Sequence, residues 1–387
     1  MKIGSGPATI HQIFFDDARD MAAVDDNSVQ LVVTSPPYPM IEMWDALFSA
    51  GDDLIADALK RSDSETAFEL MHQNLDGVWD EVGRVLAPGG IACLNIGDAT
   101  RTVKGHFRLF PNHARLIEKF QSMGLSQLPT ILWRKSTNAP NKFMGSGMLP
   151  PGAYVTLEHE YILIFRKGTK RVFPDESQKQ LRRKSAYFWE ERNHWFSDVW
   201  MGLPGTVQDL KNFHSRRRSA AFPLELPYRL INMFSILGDT VLDPFAGSGT
   251  TLLAAMCAGR NSLGYEIDET FNQVFLERIA SVPNIGQHLV RDRIDAHCQF
   301  VKDRLSSGTE LKYQNIHHNL PVMTRQEIEL CLHHVDSIQF LTGQRFRIDY
   351  AGPARPPAEP QAAPVSQTET VTPPVVRSSR GRQLKLF

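Results

Sequence analysis

The 387-residue sequence predicts an α/β fold organised as a doubly wound sheet, and three observations carry that expectation. The run "VQLVVT" (29–34) is rich in β-branched residues and does not alternate, as expected of a parallel strand buried on both faces. From Phe68 onward the apolar positions Phe68, Met71, Leu75, Val78, Val82 and Val85 follow a three-and-four spacing, one stripe of an amphipathic helix. The segment "TVLDPFAGSGTTLLAAMCAGRNSLGYEI" (240–267) reads as strand, glycine loop, helix and strand, with the glycines at the strand-to-helix turn of a β-α-β unit.

The N-terminus "MKIGSGPATIHQIFFDDARDM" has no apolar secretion core, and no window approaches 18 uninterrupted apolar residues, so neither secretion nor membrane spanning is expected. After "VQLVVT" comes the rigid plug "SPPYPM", which makes Ser35 to Tyr38 a loop at the strand's carboxyl end. "APGG" (87–90) should stop the Phe68–Val85 helix, and "IACLNIGD" reads as another buried strand. A helix follows around Asn112 to Met123, then "TILW" and "EYILIF" as outer strands of the same sheet. Residues 166–220 differ, with 13 Lys/Arg against 6 Asp/Glu among many aromatics, and read as a basic, aromatic-bearing insertion inside a chain whose net charge is only −1. "PLELPYRLINMFSILG" is a helix ahead of the glycine-loop unit, residues 268 to about 350 add helical segments, and the Pro-, Ala-, Ser- and Thr-rich tail from Gly352 should be disordered. The expected organisation is 1–165 and 214–290 as two halves of one α/β domain, 166–213 inserted between them, a helical extension 291–350 and a tail 351–387.

The four cysteines, Cys93, Cys257, Cys298 and Cys331, lie far apart without a CxxC pair, which suits free thiols in a reducing cytoplasm. The histidines have no metal-like spacing, and no metal is expected. In the glycine loop, Asp243, Gly247 and Gly249 sit where a ligand can approach the backbone. A structural turn explains such a loop about equally well. A pyrophosphate-gripping dinucleotide loop would want a third glycine where Leu252 stands, and Glu266, 23 residues after Asp243, sits where a carboxylate can accept from both hydroxyls of a ribose. The pair favours a nucleoside cofactor without a diphosphate.

Taken together, "TSPPY" (34–38) and "DPFAGSGTT" (243–251) resemble the motifs of the amino-methylating DNA methyltransferases, over roughly residues 13–280. The resemblance implies a Rossmann-like methyltransferase sheet in the circularly permuted β arrangement, with the catalytic motif ahead of the cofactor motif. It implies S-adenosyl-L-methionine as cofactor, held by Asp243, Pro244, Phe245, Gly247, Ser248, Gly249, Thr250 and Glu266. "FFDDAR" resembles the segment whose acidic residue, here Asp17, lies near the adenine. "FHSRRRSAAFPLELPYRLI" resembles the segment that closes over the methionine end through Phe222 and Pro223, although it departs from the family pattern by carrying Arg216, Arg217 and Arg218. The family's target-recognition region falls on the basic stretch, so Arg182, Arg183, Lys184 and Arg216 to Arg218 become candidates for contact with double-stranded DNA. A prokaryotic, nucleoid-associated location in the cytoplasm, a cognate restriction endonuclease as partner and a homodimeric state belong to the same expectation.

Under that resemblance Ser35, Pro36, Pro37 and Tyr38 carry the chemistry. An exocyclic amino group is a poor nucleophile because its lone pair is delocalised into the ring. Ser35 Oγ and the Pro36 carbonyl, stiffened by the Pro-Pro step, would accept its hydrogens and hold it out of conjugation. Tyr38 would stack the base once it is flipped from the duplex. Methylation at cytosine C5 needs a Pro-Cys thiolate, and none of the four cysteines follows a proline. Ser in this motif occurs in the family mostly in enzymes acting on cytosine N4; the alternatives are adenine N6 on the same scaffold and a DNA-binding protein that has lost activity. Trp44 reads equally as core or as a border of the pocket, and Asp98 equally as ligand-facing or as a cap.

Overall fold

The protein is described by a computed structural model over residues 7–135, 149–152, 154–203 and 222–354. In chain order, β1 (Ala8–Phe14) and β2 (Val29–Thr34) precede two short helices, α1 (Asp45–Gly51) and α2 (Asp53–Lys60). The long α3 (Ser64–Val85) begins at Asp63, whose side chain accepts from the Thr66 N–H, and passes directly into β3 (Leu86–Ile96). A hairpin of β4 (Ala99–Val103) and β5 (His106–Phe110) leads to α4 (Asn112–Ser122), then β6 (Leu125–Arg134) and β7 (His159–Lys167). There follow α5 (Glu176–Lys184), α6 (Trp189–Trp195), β8 (Val199–Trp200), α7 (Glu225–Phe234), β9 (Thr240–Asp243), α8 (Thr250–Ala258) and β10 (Asn261–Tyr265). The described chain ends with α9 (Phe271–Ile279), α10 (Val282–Ser306), β11 (Tyr313–Gln314), β12 (Pro321–Val322), β13 (His333–Phe340) and β14 (Arg345–Pro353).

Ten strands form one sheet in the order β13-β14-β1-β10-β9-β2-β3-β7-β6-β8. The five strands β1, β10, β9, β2 and β3 run parallel, and β14 and β7 flank them antiparallel. Helices cover both faces, which is why β2 reads as an apolar run without alternation. Its Leu31 and Val33 pack with Leu230 of α7 and Leu253 of α8, while Val32 packs on the other face with Val78 of α3 and Leu116 of α4. The expected stripe of α3 is buried at Met71, Leu75, Val78, Val82 and Val85. "APGG" lies inside β3 rather than in a separate turn, because Leu86 already pairs with Val29.

The chain after α10 departs from expectation. A helical extension over 291–350 is met only as far as Ser306; β13 and β14 then form a hairpin that pairs with β1 and widens the sheet. The physical reason is visible in β14, where Phe346, Ile348 and Tyr350 are buried and alternate with Arg345, Arg347 and Asp349.

The basic stretch opens inside β7, and α5 and α6 lie against α10 and the chain beyond it. Arg293 Nε pairs with Glu191 Oε1 at 2.5 Å, the Phe188 ring stacks on His297 at 3.9 Å, and the Arg183 guanidinium reaches Glu329 at 2.8 Å. Phe188, Trp195 and Trp200 are buried. The four cysteines are free thiols. Among the described residues no helix is long and apolar enough to cross a membrane, and no cluster of His, Cys, Asp or Glu could hold a metal ion. Arg216, Arg217, Arg218 and the tail beyond 354 lie outside the described residues.

Candidate active site at the carboxyl ends of β2 and β9

β2 and β9 are neighbours through the pairs Leu31–Val241 and Val32–Leu242. The sheet continues from them through β3 on one side and through β10 and β1 on the other. Strand order therefore reverses between β2 and β9, and the crevice beyond the carboxyl ends at such a point is where open α/β sheets bind ligands. The loop starting at Ser35 leaves β2 there, and the loop starting at Pro244 leaves β9 there.

A cavity of about 630 Å³ opens between the two loops, within the roughly 300–1,000 Å³ of ligand sites generally. Ser35, Pro36 and Pro37 line it from the first loop, and Asp243, Pro244, Phe245, Gly247, Ser248 and Thr250 from the second. Glu266 enters after β10, Asp17 after β1 and Phe222 ahead of α7. Three residues expected at the site stand just outside its lining: Gly249, Pro223 and Tyr38.

The glycine loop is held from several sides. Asp243 is 2 % exposed and accepts from Thr34 Oγ1 at 2.6 Å and from the Phe245 N–H at 3.0 Å; burial nonetheless pushes its carboxyl up to about 6. Gly249 has φ +79, and a Cβ there would overlap the edge of the Phe275 ring, so only glycine fits. Arg278 of α9 donates to Ser248 O at 2.8 Å, to Ser248 Oγ and to Thr250 Oγ1 at 3.0 Å, locking the turn into α8. The Glu266 carboxylate accepts from the Gly247 N–H at 2.8 Å and the Asp268 N–H at 2.9 Å. A carboxylate has about four acceptor positions, so these contacts orient it and are compatible with bonds to both hydroxyls of a ribose. Asp17 is paired with Arg19 at 2.5 Å, and the guanidinium holds its carboxyl below the usual range. A nucleoside with its sugar at Glu266 fits this set of donors, acceptors and open space.

On the side of the first loop, Ser35 lines the cavity, whereas Tyr38 lies behind it at 8 % exposure. Tyr38 Oη is 3.0 Å from Ser35 Oγ, donates to Glu160 Oε2 at 3.0 Å and accepts from Asn95 Nδ2 at 2.9 Å. Burial, with the nearby Glu160 carboxylate, raises the Tyr38 phenol well above its ordinary value. The edge of the ring meets Gly97, where a Cβ would come 3.0 Å from Tyr38 Cε2.

Trp44 borders the cavity, while Asp98 caps, accepting from the backbone N–H and ring Nδ1 of His113 at the start of α4. Arg182, Arg183 and Lys184 are not brought to the cavity. Ser185 beside them accepts from the Leu237 N–H and Arg171 pairs with Asp239, which sets this segment at the amino ends of the strands. Arg182 lies over the Phe173 ring and Arg183 bridges Glu176 and Glu329. Sequence reasoning missed Asn74 and Phe48 in the lining, and Arg278, Asn95 and Glu160 behind it. Asn74 sits beside the apolar stripe of α3, a weak signal; the others carried none in the chain around them.

A doubly wound sheet with a glycine loop and a carboxylate at the ends of adjoining strands, opening on one cavity at the switch point, is the arrangement in which α/β proteins bind nucleotide-type cofactors. Residues 29–277 match the model of a family described as DNA methylase. The chain is 50 % identical over 343 residues to Type II methyltransferase M.MthZI of Methanothermobacter thermautotrophicus, covering 88 % of this chain and 95 % of the relative. It is 53 % identical over 284 residues to Type II methyltransferase M.MjaI of Methanocaldococcus jannaschii, covering 70 % and 91 %. Among solved structures, TTHA0409 of Thermus thermophilus complexed with S-adenosyl-L-methionine superposes with a TM-score of 0.55 at 34 % identity, covering 70 % of this chain and 94 % of that one. The chain belongs to the DNA methylase family, as a DNA methyltransferase of the N4/N6 type whose cofactor is S-adenosyl-L-methionine.

Proposed function

We propose that this enzyme methylates the exocyclic N4 amino group of cytosine in double-stranded DNA at a specific sequence, as the modifying partner of a restriction endonuclease. The observation that carries this reading is that Ser35 lines the same cavity as Gly247 and Glu266. Its neighbour Thr34 is tied to the cofactor loop through Asp243, so the target amino group and the methyl donor would be held by one hydrogen-bonded unit. The Type II naming of the relatives supports the restriction–modification setting.

The cofactor supplies an electrophilic methyl group on a sulfonium. Glu266 would hold its ribose, Asp17 would lie near its adenine, and Phe222 and the loop from Pro244 to Thr250 would enclose the remainder. Ser35 Oγ and the Pro36 carbonyl would accept the two amino hydrogens, turning the nitrogen lone pair out of the ring and toward the methyl carbon. Catalysis would rest on this alignment, the kind of positioning that contributes several kcal/mol to a barrier. The target base would have to leave the duplex to reach the cavity, at a cost of a few kcal/mol. Pro37 stiffens the loop by fixing its backbone. Contact with DNA phosphates falls to the basic segment that includes Arg216 to Arg218; Arg182 to Lys184, at the amino ends of the strands, lie on the side away from the cavity.

Incubation with radiolabelled S-adenosyl-L-methionine and genomic DNA, followed by digestion to nucleosides, tests the reading. Label in N4-methylcytosine is the expected result; label in N6-methyladenine moves the target to adenine, and unlabelled DNA sinks the proposal.

A further inference from the structure

Glu160 of β7 belongs to neither motif, yet its carboxylate, 12 % exposed, is the hub of the polar groups behind Ser35. Lys135 Nζ pairs with Oε1, and Oε2 accepts from Tyr38 Oη at 3.0 Å and from Asn95 Nδ2 at 2.6 Å. An ion-paired carboxylate only accepts hydrogen bonds. The single Tyr38 proton is therefore committed to Glu160, and the 3.0 Å contact between Tyr38 Oη and Ser35 Oγ has one polarity, with Ser35 donating. Asn95 reinforces it, since a flipped amide would set its carbonyl against the carboxylate. Asn95 Oδ1 instead has no partner among the described residues although the side chain is buried. With its proton turned inward, Ser35 Oγ offers only lone pairs to the cavity.

We propose that Glu160 is a positioning residue that fixes Ser35 as a hydrogen-bond acceptor toward an amino group and takes up, through Ser35 and Tyr38, the proton which that nitrogen releases. This rests on the reading of the target as an exocyclic amino group. As the nitrogen–methyl bond forms and the sulfur–methyl bond breaks, the electron pair stays with sulfur and the nitrogen becomes positively charged. Its proton passes to Ser35 Oγ, the Ser35 proton to Tyr38 Oη and the Tyr38 proton to Glu160 Oε2, which becomes a neutral carboxylic acid and later yields the proton to solvent. Both hydroxyls remain neutral but with their hydrogens reversed, and they rotate back once Glu160 has yielded its proton. A hydroxyl-bearing target in place of an amino group could donate only one hydrogen to the Ser35 and Pro36 acceptors, so the same polarity favours amines.

Single-turnover methyl transfer to cognate DNA tests this, with cofactor affinity and melting temperature measured beside it. Glu160→Gln keeps a carbonyl acceptor of the same shape but cannot hold the proton; it should slow transfer about 100-fold, the low end of proton-transfer contributions. Tyr38→Phe, which cuts the chain between Ser35 and Glu160, should slow it similarly, and the double variant should lose no more than the slower single one. Wild-type rates in either single variant, additive losses in the double, or a slowing matched by lost cofactor affinity or melting temperature would each overturn the inference while leaving amino methylation by the wild type intact. Failure of the wild type to label an amino nitrogen would overturn both.

Discussion

Thr34 Oγ1 donates to Asp243 Oδ1 at 2.6 Å across 209 residues of chain, and that bond joins the end of β2 to the end of β9. Thr251 Oγ1 adds a second tie, donating to Val33 O at 3.3 Å. The loop from Ser35 and the loop from Pro244 thus start from one buried, hydrogen-bonded point, which fixes their separation.

Asp243 makes that point sensitive to pH. Its folded carboxyl is raised to about 6 by burial, above the ordinary 3.8. A raised carboxyl stabilises the fold fully below about pH 4, and that contribution is lost as pH rises through about 6. An amide at this position does not titrate. The stability of Asp243→Asn minus that of wild type should therefore increase by about 3 kcal/mol between pH 4 and pH 8, read from urea denaturation of the cofactor-free protein; a difference independent of pH would contradict the raised carboxyl.

The two loop glycines should respond differently to alanine. At Gly249 a Cβ would overlap Phe275 on top of a φ of +79, whereas at Gly247 the φ is +51 and nothing lies within 4 Å. Gly249→Ala should cost about 3 kcal/mol or more by overpacking and strain, and Gly247→Ala about 1–2 kcal/mol by strain alone. Equal losses in denaturation midpoint would mean that the Phe275 contact does not constrain the loop.

Ser35→Ala should lower the methyl-transfer rate at least 100-fold, because a methyl group can neither accept an amino hydrogen nor pass a proton. Cofactor binding, measured by calorimetry without DNA, should stay within about twofold, since Ser35 faces the target side. Substantial transfer by the variant would remove Ser35 from the mechanism.

Arg278→Met should weaken cofactor binding about tenfold, by releasing Ser248 and Thr250 from a charged donor worth roughly 1.5–3 kcal/mol. At saturating cofactor the transfer rate should recover to near wild type. A lowered rate with unchanged affinity would place Arg278 in the chemistry instead.

Much of the frame was readable in advance because it depends on near neighbours in the chain. A strand covered on both faces writes itself as the unbroken run Val29–Thr34, α3 as a spaced stripe, and a strand-to-helix turn as Gly247 and Gly249. β14 was readable too, since "RFRIDY" alternates with period two; it was passed over as part of a helical region. Ser35 and Glu266 could be named from motif and spacing, as each sits at the end of its own strand.

Other features follow from adjacency, which no local pattern encodes. Glu160 reaches Tyr38 because β7 pairs antiparallel with β3, bringing Asn95 opposite Ile162, and because β2 lies on the other side of β3. The same packing turned Tyr38 inward by its hydroxyl, assigned Asp98 to the cap of α4, and carried Arg182 to Lys184 to the amino ends of the strands. Charge and aromaticity in a linear stretch record which side chains are available. Which of them share a cavity depends on strand order, and strand order is set by the burial of both sheet faces at once, a property of the whole chain.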